Sequence, residues 1–103
     1  MKYVVTWRER DAGSALEYEA AQKRVLEIFS QWSMPESLVI HQFLVRLGEF
    51  GGLAVVETDR PQDLQYLTTA FAVYQFTVQP VLDIMDAVAV ENDAIAWRDA
   101  LRA

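Results

Sequence analysis

Leu38-Val-Ile-His-Gln-Phe-Leu-Val-Arg-Leu47, Gly48-Glu-Phe-Gly51 and Gly52-Leu-Ala-Val-Val-Glu-Thr58 follow one another without a break. The flanking runs are rich in β-branched and aromatic residues, and glycine brackets the short segment between them, which is the composition of a β-hairpin. With Leu47 set opposite Gly52, Gln42 falls across from Glu57, Phe43 across from Val56 and Arg46 across from Leu53. Side chains alternate across a strand. Phe43, Val45, Leu47, Ala54 and Val56 therefore share one face, and Ile40, Gln42, Leu44, Arg46, Leu53, Val55 and Glu57 share the other. In this register His41 lies at the end of the first face, away from Glu57; a slip of a single residue reverses that.

Upstream, Tyr3-Val-Val-Thr-Trp7 reads as a strand leaving the core at the charged run Arg8, Glu9, Arg10 and Asp11. Ser14 is placed to cap a helix in which Tyr18, Ala21, Val25, Ile28 or Phe29, and Trp32 recur at helical spacing, with Glu17, Gln22, Lys23 and Glu27 on the other side. That helix ends before Pro35. Downstream, Thr58-Asp-Arg-Pro61 starts a second helix, with proline tolerated in its first turn and Leu64, Leu67 and Phe71 as its buried stripe. Phe76 to Leu82 is a fourth strand, and Pro80 inside it predicts a sheet edge, because proline donates no ladder hydrogen bond. Ala94, Ile95, Trp97, Arg98 and Leu101 mark a terminal helix from Glu91 to Arg102, and residues 84–90 read as either a short extra strand or a turn. Trp32 and Trp97 fall on helix stripes and read as packing residues.

The order strand, helix, strand, strand, helix, strand, helix predicts a single α+β domain over residues 1–103. Its helices cover one face of an antiparallel sheet, the ferredoxin-like βαββαβ arrangement with a C-terminal helix. With 103 residues, 52% of them apolar, the chain has material for one core. Nine basic against fifteen acidic residues give a net charge of −6, which argues against a nucleic-acid surface. There is no cysteine, hence no disulfide framework or thiolate metal site, as suits a cytoplasmic protein. The first residues fit neither a signal peptide nor a membrane span.

The face of the sheet away from the helices carries Ile40, Leu44, Leu53 and Val55 among Gln42, Arg46 and Glu57. Two such sheets packed about a symmetry axis bury the first group and leave the second dotting a cavity, so a homodimer is expected. At this point the residues also carry a likeness. Met1-Lys-Tyr-Val-Val-Thr-Trp-Arg8, Ile40-His-Gln-Phe43, Gly51-Gly-Leu-Ala-Val-Val-Glu-Thr-Asp59, Pro80-Val-Leu-Asp-Ile84 and Ala94-Ile-Ala-Trp-Arg98 together resemble the bacterial family known as domain of unknown function 3303. The resemblance implies a ferredoxin-like fold of the dimeric α/β-barrel type, and it assigns no activity. Dimeric α/β barrels include monooxygenases, haem-handling enzymes and ligand sensors, so the fold alone does not choose among them.

Several residues carry candidate chemistry. His41, the only histidine, is a general base, an axial haem ligand or a hydrogen-bonded strand residue. Glu57, after an apolar run, is either a proton acceptor or the partner of Arg46 or Gln42. Arg46 suits an anionic ligand group or a rim ion pair. Trp7 suits a planar ligand or core packing. The expected ligand-binding set is Trp7, Gln42, Arg46 and Glu57. One histidine and no cysteine exclude the usual zinc sites. The pairs Asp83 with Asp86 and Glu91 with Asp93 lack the calcium-loop pattern, and no phosphate-loop or nucleophile-elbow motif occurs, so no metal or cofactor is expected. Three functions remain: a small-molecule-binding homodimer with an apolar or aromatic ligand, a cofactor-independent monooxygenase- or isomerase-like enzyme using Glu57 or His41, and a structural interaction domain.

Overall fold

The computed structural model describes residues 1–10 and 13–101. Its elements are β1 (Lys2–Glu9), α1 (Ala15–Ser30), β2 (Val39–Val45), β3 (Gly51–Glu57), α2 (Pro61–Ala70), β4 (Tyr74–Val81) and α3 (Ile84–Ala100). All strand pairs are antiparallel and the order is β2-β3-β1-β4, the ferredoxin-like arrangement. Asp11 and Arg102, at the expected ends of the first charged run and the last helix, lie outside the described residues.

Local chemistry accounts for the element ends. The Ser14 hydroxyl accepts the Glu17 N–H at 3.2 Å, capping α1. Pro61 occupies the first turn of α2, where an N–H has no helical partner. Pro80 sits in an edge strand, opposite Tyr3 of β1. Gly48, at φ 81°, turns the hairpin through a backbone region that residues with a Cβ rarely enter.

The core lies between the sheet and helices α1 and α2. Val5, Trp7, Ala54 and Val56 from the sheet meet Val25, Leu64, Leu67 and Phe71, and all are buried. Burying a valine or leucine completely stabilises the fold by roughly 1.5–3 kcal/mol. The aromatics add directional contacts: Trp7 meets Phe43 edge-on at 5.1 Å between ring centroids, and Phe29 lies 5.1 Å from Phe71. Beneath the core, buried Asp63 in the first turn of α2 receives the hydroxyl protons of Ser37 and Thr58, each at 2.6 Å. Those bonds hold the Asp63 carboxyl below its ordinary pKa, and they tie the loop before β2 and the end of β3 to α2.

Three expectations are corrected. The hairpin pairs Phe43 with Ala54 and Leu44 with Leu53, two residues out of the expected register, and it is interrupted between Ile40 and Gln42. A two-residue slip preserves the faces beyond the bulge, but the bulge itself turns Ile40, opposite Val56, towards the helices. Residues 84–90 are neither strand nor turn; they form the first two turns of α3. Trp97 is not a packing residue in the chain by itself, being 68% exposed.

Helix α3 gives the molecule its shape. None of its side chains is buried, and the radius of gyration is 18.6 Å with a long axis of 67 Å. A compact domain of this length has a radius near ~13 Å.

Candidate functional site

The register places residues of the sheet's open face in rows across the strands. The first row runs Val39, Glu57, Lys2, Val81; the second Gln42, Val55, Val4, Gln79; the third Leu44, Leu53, Thr6, Thr77. Arg8 and Gln75 lie in a fourth, with Gly51 between Arg8 and the end of β2. The middle rows are apolar on β3 and carry Val4 and Thr6 on β1, whereas the two ends carry charge. Among these residues Val4, Leu53 and Val55 are partly exposed and Leu44 is exposed.

At the first row the bulge has a chemical result. His41, the extra residue, brings Nε2 to 2.7 Å from Oε1 of Glu57, with both side chains about half exposed at 40% and 45%. His41 is thus on the open face beside Glu57, and its expected helix-facing position is corrected. Next to the pair, Lys2 donates to Asp83 at 2.8 Å, and this hydrogen bond and the Asp83 charge raise the Lys2 pKa. The end of the face therefore carries an imidazole, two carboxylates and an ammonium in one band. A carboxylate on one ring nitrogen of an imidazole fixes its orientation and leaves the other nitrogen for a third group.

The other predicted site residues do not gather there. Gln42 is one row from Glu57 on the same face. Arg46, just past β2, belongs to the far end, roughly 20 Å away along strands that rise ~3.4 Å per residue. It pairs with Glu49 at 3.8 Å, so the expected Arg46–Glu57 partnership is replaced by His41–Glu57. Trp7 is on the opposite side of the sheet, 6% exposed. It lines a cavity of about 60 Å3 between sheet and helices, with Phe29, Phe43, Phe71 and Tyr74 around it. That volume suits a few water molecules, whereas an aromatic ring needs roughly 150 Å3 and metabolite pockets run to several hundred. Burial against this aromatic wall raises the Tyr74 pKa above its ordinary value.

Asp63 is the group that sequence reasoning passes over: an acid in a helix's first turn looks like solvent-facing dipole compensation. Its signal is the trio Ser37, Thr58 and Asp63, visible only once the fold joins them. Among the described residues no cluster of metal-ligating side chains occurs, and no helix is long and apolar enough to cross a membrane.

No curated protein and no solved structure matches the chain. The family described as domain of unknown function (DUF3303) matches residues 1–95, a span that takes in the whole sheet, both site residues His41 and Glu57, and most of α3. The chain accordingly belongs to the DUF3303 family.

Proposed function

We propose that two copies of the chain pair through the open faces of their sheets as a cytoplasmic homodimer, and that the space between the sheets holds a small organic molecule. The observation that carries this reading is the open face itself. Val4, Leu44, Leu53 and Val55 form an apolar floor, and the His41–Glu57 pair stands at its end with Gln42 one row away. An apolar floor bordered by a few convergent polar groups is the usual composition of a ligand site. The ligand is apolar or aromatic over most of its surface, with one polar group that meets the pair. Trp7 takes no part, since it faces the helices.

A second reading draws support from the 2.7 Å His41–Glu57 contact. A carboxylate-oriented imidazole is a proton-transfer group, so the same cavity suits a cofactor-independent enzyme of the isomerase or monooxygenase kind. Native mass spectrometry of protein isolated from its own host, followed by denaturing spectra of the same sample, tests both. The expected species is twice the 11.8 kDa chain with a defined additional mass, lost in Glu57→Gln. Turnover of the released molecule by wild type and not by His41→Gln selects the enzyme. A monomer at tens of micromolar overturns the shared-cavity reading.

A further inference from the structure

The longest helix among the described residues, α3, has no buried side chain. An isolated helix of 17 residues is close to the length at which helices become marginal in water, and most helical stability in proteins comes from packing. α3 is also not a surface helix by pattern. Val90, Trp97 and Leu101 form one apolar ridge, and Ile84, Val88 and Ile95 form a second on a different side. Asp86 and Asp93, seven residues apart, run as an acidic stripe along the flank of the Val90–Trp97 ridge. A helix with apolar residues on more than one side is built to be covered from more than one side. Its own domain does not do this, for Trp97 and Leu101 are 68% and 66% exposed.

We propose that α3 is an exchanged arm: in the homodimer proposed above, on which this inference rests, each copy's α3 packs against the other copy. Three features select a second copy as the occupant. Charge is the first. α3 carries Asp86, Glu91, Asp93 and Asp99 against the single Arg98, while the open face offers Arg8, held only by the neutral Gln75 amide. Area is the second. Covering the apolar side chains of one arm removes roughly 500–800 Å2 from water, and two reciprocal arms reach the ~1,200–2,000 Å2 typical of stable interfaces. Position is the third. The Lys2–Asp83 bond fixes the root of the arm at the end of the open face, next to His41 and Glu57, so an arm leaving from there is continuous with the proposed sheet-to-sheet contact. Exchange of identical elements satisfies both copies at once and leaves no open-ended contact.

The test uses the full chain throughout. Native mass spectrometry gives the dimer fraction across concentrations, and amide hydrogen exchange reports residues 84–100 over the same series. If α3 is an exchanged arm, its amides slow by about tenfold or more as the dimer fraction rises, because docking replaces a fraying helix with a packed one. Trp97→Glu, and independently Val90→Glu, then raise the dimer dissociation constant by about tenfold or more, an ion on a buried ridge being unsatisfied. The circular dichroism melt of the dilute monomer checks that each variant still folds. A dimer whose α3 exchanges equally fast at every concentration, with both variants dimerising as wild type, overturns the arm and leaves the dimer standing. Protection of α3 that does not depend on concentration also overturns it, showing the helix folded back on its own copy. A wild-type monomer overturns the arm and the dimer together.

Discussion

Replacing Gly52 by alanine measures how closely the hairpin is seated on the core. Gly52 lies in β3 with Trp7 opposite on β1 and Val45 opposite on β2. A Cβ built on it stands 2.1 Å from the carbonyl oxygen of Leu44, 2.9 Å from Cα of Val45 and 2.7 Å from Cζ2 of Trp7. Carbon and oxygen are comfortable near ~3.5 Å, so relief requires a shift of more than an ångström. Two of the three neighbours are backbone, and the third is an indole held between Phe43 and Tyr74. No flexible side-chain tip can yield. Overpacking a core costs about 1–3 kcal/mol where side chains can adjust, and a clash with backbone belongs at or above the top of that range, about 3 kcal/mol. For a domain of this length each kcal/mol lowers the melting temperature by roughly 4–8 °C, so a fall of roughly 12–24 °C is expected. Gly48→Ala supplies the contrast. At φ 81° with nothing within 4 Å of its Cβ position, it meets only the left-handed backbone penalty, about 1–2 kcal/mol. Urea unfolding followed by tryptophan fluorescence gives both values. A Gly52→Ala variant as stable as Gly48→Ala, or more so, refutes the argument that β2, β3 and Trp7 close on this position.

Phe71→Ala removes a ring that is 3% exposed and packed on Phe29, and should cost about 3–5 kcal/mol in the same unfolding assay. Asp63 has a folded pKa below its unfolded value, so its contribution is present above about pH 4 and fades as pH falls through the lower folded value. Thermal melts of wild type and Asp63→Asn from pH 7 to pH 2 should therefore differ most at neutral pH and converge in acid. Glu57→Gln keeps the shape of a half-exposed group and should change stability by under about 1 kcal/mol, whatever it does to ligand retention. A loss above about 2 kcal/mol in urea would mark the pair as a structural tie.

Much of the fold is legible because its signals are local. Ser14 as a cap, Pro61 in a first turn and Pro80 on an edge each follow from one residue's chemistry. The hairpin faces survive a wrong register because period-two alternation is unchanged by a shift of two, so Phe43 and Val45 stay on the helix side whichever partner they meet. The same insensitivity hides the bulge. Nothing in Ile40-His-Gln42 says that Ile40 turns inward to Val56, and that single extra residue decides whether His41 reaches Glu57. Residues 84–90 fail for a different reason: a short apolar run such as Ala87-Val-Ala-Val90 has no periodicity to separate helix from strand. Trp97 misleads because an apolar stripe reports that a helix wants a partner, not that its own domain supplies it.

The two outermost strands have a consequence for solubility. A sheet ordered β2-β3-β1-β4 ends in two unpaired backbone ridges, each a template onto which a foreign strand can grow towards fibrils. On β4 that template is broken by Pro80, which has no N–H to offer an incoming chain. On β2 it is bent by the His41 bulge, which adds local twist to a strand whose side chains, Ile40 apart, are exposed. The residue that delivers an imidazole to Glu57 thus also spoils one edge for uncontrolled polymerisation, and substitutions that straighten β2 should be read for turbidity as well as for binding.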